Sequence, residues 1–176
     1  AIFATLAPGS YTAQVTAAAN ATGIALIEVY DVDGASNLTV IPSRLVNLAV
    51  RAHVGTDDRL LIPGIVVTEG APKSVLIRAV GPGLAAAPFN LTGILAGPVL
   101  TLFAGSQTIA TNRAWNSALN AAEIRTAAVR TSAFALAENS RDSALLVTLP
   151  PGAYTVQVAG AGGATGIALV EIYEVP

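Results

Sequence analysis

The two ends of the chain repeat one another, and this repeat constrains the fold more than any other feature of the sequence. Residues 1–33 align with residues 144–176 at a constant offset of 143 without a gap, and nineteen of the 33 pairs are identical. Each copy has the pattern strand, Pro-Gly turn, strand, small-residue loop, strand. We therefore predict that each copy forms a three-stranded β-meander.

The repeat also predicts how the 176 residues divide into domains. Residues 34–176 have the length of one complete module that ends in the second copy. Residues 1–33 correspond to the closing part of another such module, and we predict that they form a separate assembly segment. Between the two lies a stretch rich in Asp, Gly, Ser and Pro, at residues 31–43, which is typical of a hinge or linker.

The residues between the two copies favour β-structure. Short runs rich in β-branched residues are bounded by Gly, Pro or Asp, which is typical of a sandwich with many turns. One exception, residues 117–130, has the composition and spacing of a helix. The predicted fold class is all-β, an antiparallel β-sandwich of jelly-roll or immunoglobulin-like type with one short helix. The predicted strands span residues 44–54, 59–68, 73–80, 98–104, 107–112 and 142–149.

Composition excludes several classes of protein. Hydrophobic residues make up 53% of the chain and charged residues 11%, so intrinsic disorder is excluded. The net charge is −2 and no cluster of Lys or Arg is present, so we expect no nucleic-acid partner. The longest uncharged stretch, residues 79–112, is interrupted repeatedly by Gly and Pro, and we expect no membrane-spanning helix.

The sequence offers little to a catalytic mechanism. It has no Cys, and its one histidine, His53, is not accompanied by a Gly-x-Ser-x-Gly motif. Asp57 and Asp58 are adjacent in a turn, where their carboxylates would point in different directions. We therefore predict that the chain is not an enzyme. The absence of Cys and Met suits a durable protein outside the cell, where we expect it to act; the alternative is a genome biased towards Ala and Arg.

Four segments resemble a known class of module. Residues 44–48 (RLVNL), 54–56 (VGT), 75–84 (VLIRAVGPGL) and 149–158 (LPPGAYTVQV) resemble a repeated β-sandwich module of large, repetitive bacterial exported or surface proteins. The second half, from residue 98 to residue 173, is similar to the pre-peptidase C-terminal domain of secreted proteases. These resemblances imply a β-sandwich and a location outside the cell or at its surface.

Oxygen-bearing side chains mark one candidate metal site and three candidate glycosylation sites. Asp31 and Asp33, in an Asp-x-Asp-Gly turn, could begin a calcium loop to which Asn37 adds an oxygen; the alternative is a simple turn. Apart from calcium, no cofactor is predicted. Asn-x-Thr sequons at Asn20, Asn37 and Asn90 fall in predicted loops, where glycans could be attached.

The last strand of each copy carries one glutamate among apolar residues. Such a face is too apolar for solvent and too charged for a sealed core, so it is typical of a subunit interface. The alternative is that a helix or loop of the same chain covers it. The predicted interface residues are Leu26, Glu28 and Tyr30 in the first copy and Leu169, Glu171 and Tyr173 in the second.

These observations favour a structural, non-enzymatic extracellular protein that assembles head to tail, with itself as partner, into a filament or surface layer. Residues 1–33 would then dock on a neighbouring subunit, unless they fold back onto their own module. The alternative function is an adhesion or carbohydrate-binding accessory module of a larger secreted protein, with a polysaccharide as partner. In that case Trp115 could stack on a sugar, whereas otherwise it anchors the core.

Overall fold

A computed structural model describes residues 1–32 and 44–176. The chain divides into two compact units, Ala1–Leu45 and Val46–Pro176. The predicted division of the chain at residue 33 stays a prediction. In the described residues, all strands belong to the larger unit, and residues 1–32 contain only one short 3₁₀ turn, Ala18–Asn20.

The larger unit is built from eight strands and one α-helix. The helix, α1, spans Ala121–Arg130 and is shorter than predicted, because Ala118 is extended and separates it from a 3₁₀ turn at Trp115–Ser117. None of the described helices is long and apolar enough to cross a membrane. The strands are β1 (Asn47–Val54), β2 (Gly64–Val67), β3 (Lys73–Val80), β4 (Pro98–Ala104), β5 (Gln107–Asn112), β6 (Ser143–Leu149), β7 (Gly152–Gly160) and β8 (Gly166–Glu174).

The strands form two four-stranded antiparallel sheets, which confirms the predicted β-sandwich with one short helix. The first sheet has the order β1-β8-β3-β6 and the second the order β2-β7-β4-β5. In the register of the first sheet, Asn47 lies opposite Tyr173 and Arg78 lies opposite Glu171. Both β7 and β8 are therefore inner strands with a hydrogen-bonded neighbour on each side.

This topology corrects the prediction that the C-terminal copy is a meander. Its three strands do not pair with one another: β6 pairs with β3, β7 pairs with β2 and β4, and β8 pairs with β1 and β3. Successive strands instead alternate between the two sheets. The repeat showed that the two copies are alike, but strand partners distant in sequence are not visible in such a comparison.

The main core lies between the sheets and follows the alternation of side chains along each strand. In β4, Leu100 and Leu102 are fully buried, and in β7, Val156 and Val158 are fully buried. A second cluster covers the outer face of the first sheet, where α1 packs on it. Its buried members are Leu76, Trp115, Ile124, Ala127 and Ala144.

A pair of leucines tests this assignment of the core. We expect Leu100→Ala to lower the free energy of unfolding by about 2–5 kcal/mol, because the lost contacts leave a cavity between the sheets. The matched change Leu119→Ala removes a fully exposed side chain and should shift it by less than about 0.5 kcal/mol. Urea unfolding followed by circular dichroism measures both, and equal effects would contradict the assignment.

Candidate functional site

The strongest candidate site is the N-terminal copy (residues 1–32), because it shares a turn and two tyrosine hydrogen bonds with the C-terminal copy (residues 144–175), although no strand is assigned within it. In both copies the small-residue loop is a 3₁₀ turn with a left-handed residue at the same position. Ala19 has φ 51° and ψ 38°, and Gly162, at the offset of 143, has φ 65° and ψ 23°. Alanine rarely adopts this conformation, so the shared turn is a specific feature of both copies.

Two tyrosine hydrogen bonds also occur in both copies. The hydroxyl of Tyr11 donates to the carbonyl oxygen of Ala7 at 2.8 Å, as that of Tyr154 donates to Pro150 at 2.9 Å. The hydroxyl of Tyr30 donates to Oε1 of Glu28 at 3.0 Å. Its counterpart in the C-terminal copy is the 2.7 Å bond from Tyr173 to Glu171. The N-terminal copy therefore has the local shape of strands that already belong to a sandwich.

The two copies differ in what covers them. Leu6 is 54% exposed, whereas its counterpart Leu149 is 1% exposed. Tyr11 is 58% exposed and Tyr154 is 9% exposed. The strands β6, β7 and β8 pair with strands among β1–β4, whereas no strand is assigned within residues 1–32.

The glutamate of the C-terminal copy is buried in an ion pair. Glu171 on β8 and Arg78 on β3 are both nearly inaccessible, and Nη2 of Arg78 lies 3.0 Å from Oε2 of Glu171. The alignment of these two atoms is too poor for a hydrogen bond, so their attraction is chiefly electrostatic. Two charges are thus buried together inside an otherwise apolar face of the sheet.

The segment after α1 completes this site. Nη1 of Arg78 donates to the carbonyl oxygen of Phe134 at 2.6 Å, and the guanidinium lies 4.3 Å from the centre of the Phe134 ring. Burial and the hydrogen bond to Glu171 raise the pKa of Tyr173 well above its usual range. The tyrosine therefore stays protonated and keeps donating to the carboxylate at any physiological pH.

The predicted interface residues fall into two groups. In the C-terminal copy, Glu171 is buried within its own module and Leu169 and Tyr173 are half-buried, so the chain itself supplies most of the cover there. In the N-terminal copy, Leu26, Glu28 and Tyr30 are all exposed. The interface therefore stays a prediction for the N-terminal copy, whereas Glu171 is not available to a partner.

The predicted metal and glycan sites are only partly within the described residues. Asp31 is described, but Asp33 and Asn37 lie outside the described residues, so calcium at this turn stays a prediction. Within residues 1–32 and 44–176, no group of three or more potential metal-binding side chains is found. Asn90 is an exposed loop residue, and Asn20 belongs to the 3₁₀ turn; glycosylation stays a prediction for both.

The remaining candidates are surface or core residues. His53 is exposed at the end of β1, and Asp57 and Asp58 are exposed in the following 3₁₀ turn. Trp115 is 2% exposed, and its Nε1 donates to the carbonyl oxygen of Ala137 at 3.1 Å. Of the two alternatives for Trp115, the structure therefore agrees with the anchor of the core. The ring of Trp115 is not available for stacking on a sugar.

Two structurally important residues were not singled out from the sequence. Arg78 is a single charge inside a buried apolar strand, a pattern that predicts a buried partner, and Glu171 has the same pattern. Asp142 is fully buried, and its carboxylate accepts hydrogen bonds from the backbone of Gly81 at 2.8 Å and Gly83 at 3.1 Å. It thereby fixes the turn that follows β3.

Comparisons with known proteins give a likeness among solved structures. No protein-family model matches the chain, and a search of curated proteins finds no match. Among solved structures, the chain is similar to the pre-peptidase C-terminal domain of a collagenase from Bacillus anthracis. The identity is 12%, the TM-score is 0.45, and the match covers 72% of this chain and 89% of that chain. A TM-score this low supports no inference about function.

The two equivalent glutamates allow a matched test of the buried ion pair. We expect Glu171→Gln to lower the free energy of unfolding of the larger unit by about 3–5 kcal/mol, because Arg78 would be left as an uncompensated buried charge. The same change in the other copy, Glu28→Gln, should leave it within about 0.5 kcal/mol. Chemical denaturation measures both variants, and similar losses in the two would contradict this account.

Proposed function

We propose that this chain is a structural, non-enzymatic protein of the extracellular space or cell surface that assembles head to tail. The N-terminal copy of one subunit docks on the larger unit of the next. One observation carries the proposal: the N-terminal copy has the turn and the tyrosine hydrogen bonds of a sandwiched segment, yet its apolar side chains are exposed.

The exposed apolar surface supports docking as the role of this copy. Many large apolar side chains exposed within one short segment are costly in water and are typical of an interaction site. An exposed extended segment is also open to pairing with another chain. The large apolar side chains exposed in this copy are Ile2, Phe3, Leu6, Tyr11, Val15, Ile24, Leu26, Ile27, Val29, Tyr30 and Val32.

The position of the copy determines the kind of assembly proposed. The donor surface belongs to residues 1–32, and the receiving surface belongs to the larger unit, so the two surfaces differ. Contacts between unlike surfaces repeat from subunit to subunit and form an open filament unless their rotation closes a ring. The non-enzymatic role rests on the lack of Cys and on the exposed position of the single histidine, His53.

An experiment on the full chain tests this proposal. We expect Leu26→Asp combined with Ile27→Asp to abolish filaments in negative-stain images, because docking would bury both charges. The melting temperature of the larger unit should not change. Deleting residues 1–32 should have the same effect.

The control for this experiment places the same two charges elsewhere. Leu119 and Val129 are exposed on the larger unit, so Leu119→Asp combined with Val129→Asp should leave filaments intact. Filaments that still form after deletion of residues 1–32, or a full chain that stays monomeric at high concentration, would contradict the proposal.

A further inference from the structure

The internal repeat points to where the N-terminal copy binds. Resting on the proposed function, we infer that it docks in a second copy of the chain at the place of the C-terminal copy, and that the two copies are interchangeable there. The receiving part, called the framework below, consists of β1–β5 and α1, within residues 46–143. In the framework the N-terminal copy would lie between β1 and β3 in one sheet and between β2 and β4 in the other.

The first support is the pattern of strand partners. Both β7 and β8 obtain all their ladder hydrogen bonds from strands of the framework. The equivalent residues of the N-terminal copy, 9–17 and 23–31, therefore need the same four strands. The framework of a second copy of the chain offers these four strands at the correct spacing.

The second support is the glutamate. Glu171 faces Arg78 of the framework, and Tyr173 holds its carboxylate by a hydrogen bond. Glu28 is held in the same way by Tyr30 but lies exposed. A framework would bring the arginine of its β3 to Glu28, so the same three side chains would come together.

The third support is a pair of glycines. A Cβ atom added at Gly166 would lie 2.7 Å from the backbone of Ile94, so the framework requires glycine here. Nothing lies within 4 Å of the corresponding Cβ at Gly23 in the N-terminal copy. Residue 23 is thus a glycine although nothing crowds it. If the N-terminal copy docked in a second chain, Ile94 of that chain would lie close to residue 23 and would require glycine there.

Packing differences between the copies indicate which of them a framework prefers. Leu6, Val15 and Ala25 are identical to their buried counterparts, but Ala13 replaces Val156, which is fully buried. The N-terminal copy would leave a small cavity there, and its own framework is already occupied. It therefore binds only a framework whose C-terminal copy is absent or has been displaced.

Full-length variants can create such a framework. An acceptor chain carries Gly23→Val and Gly166→Val, which exclude both of its own copies, together with Arg51→Cys. A donor chain carries only Leu26→Cys. Arg51 lies opposite Leu169, which is the counterpart of Leu26. Because the natural chain has no Cys, a disulfide between donor and acceptor reports this register alone.

We expect the acceptor alone to lose its cooperative unfolding transition and to regain it when refolded with one equivalent of donor. Oxidation should then give a disulfide-linked heterodimer as the main product. A donor that also carries Gly23→Val should neither restore the transition nor form the heterodimer. A donor with Ile27→Cys in place of Leu26→Cys should restore folding without the disulfide, because its side chain is on the other side of the strand.

Three results would overturn the inference. They are an acceptor that folds alone like the natural chain, no rescue by the donor, and equal cross-linking from residues 26 and 27. The outcome is independent of the filament experiment. Rescue without filaments would contradict only the proposed function, and filaments that depend on residues 1–32 without rescue would contradict only the inferred docking site.

Discussion

Backbone hydrogen bonding between strands far apart in the sequence is the constraint on which this structure depends. The last three strands of the module alternate between the sheets, and each obtains its ladder from β1–β4. In this fold the three strands do not pair with one another, so their backbone groups are satisfied by strands earlier in the chain. That is why the same sequence pattern forms inner strands at one end of the chain and an exposed extended segment at the other.

The ion pair of Arg78 and Glu171 determines the register of β8 against β3. Sliding β8 by one residue would turn Glu171 into the core and leave Arg78 without a partner. The carbonyl oxygen and ring of Phe134 and the hydroxyl of Tyr173 surround the pair, so both charges are held in an apolar face. Glu28 would require the same arginine if docking buried it, and this connects the fold of the module with its proposed assembly.

Local patterns predicted much of the fold. The bounds of β3, β4 and β5 agree with the predicted runs 73–80, 98–104 and 107–112, because Gly, Pro, Ser or Asn mark their ends. The predicted strand 59–68 is shorter in the structure, since Asp57–Arg59 forms a 3₁₀ turn and β2 begins only at Gly64. The partners of the repeated strands were not predictable, because they depend on contacts between residues about a hundred positions apart.

The candidate site was predicted only in part, because its remaining features also depend on contacts between distant residues. The repeat identified residues 1–33 and the glutamates, but the two copies, identical at nineteen of 33 positions, differ in exposure. The sequence similarity of the two copies does not show whether a copy has neighbouring strands to pair with. The buried pair could have been found from the single charges in two apolar strands, whereas Phe134 comes from a loop with no such signal.

Amide hydrogen exchange in single subunits and in assembled material tests the central claim most directly. In single subunits, the amides of residues 9–17 and 23–31 should exchange rapidly, whereas those of β7 and β8 should be protected. In the assembled protein, residues 9–17 and 23–31 should become protected, whereas β7 and β8 of a receiving subunit, whose place they take in the framework, should exchange faster than in single subunits. Rapid exchange of residues 9–17 and 23–31 in both states, or their protection already in single subunits, would contradict the claim that these strands obtain their partners from another subunit.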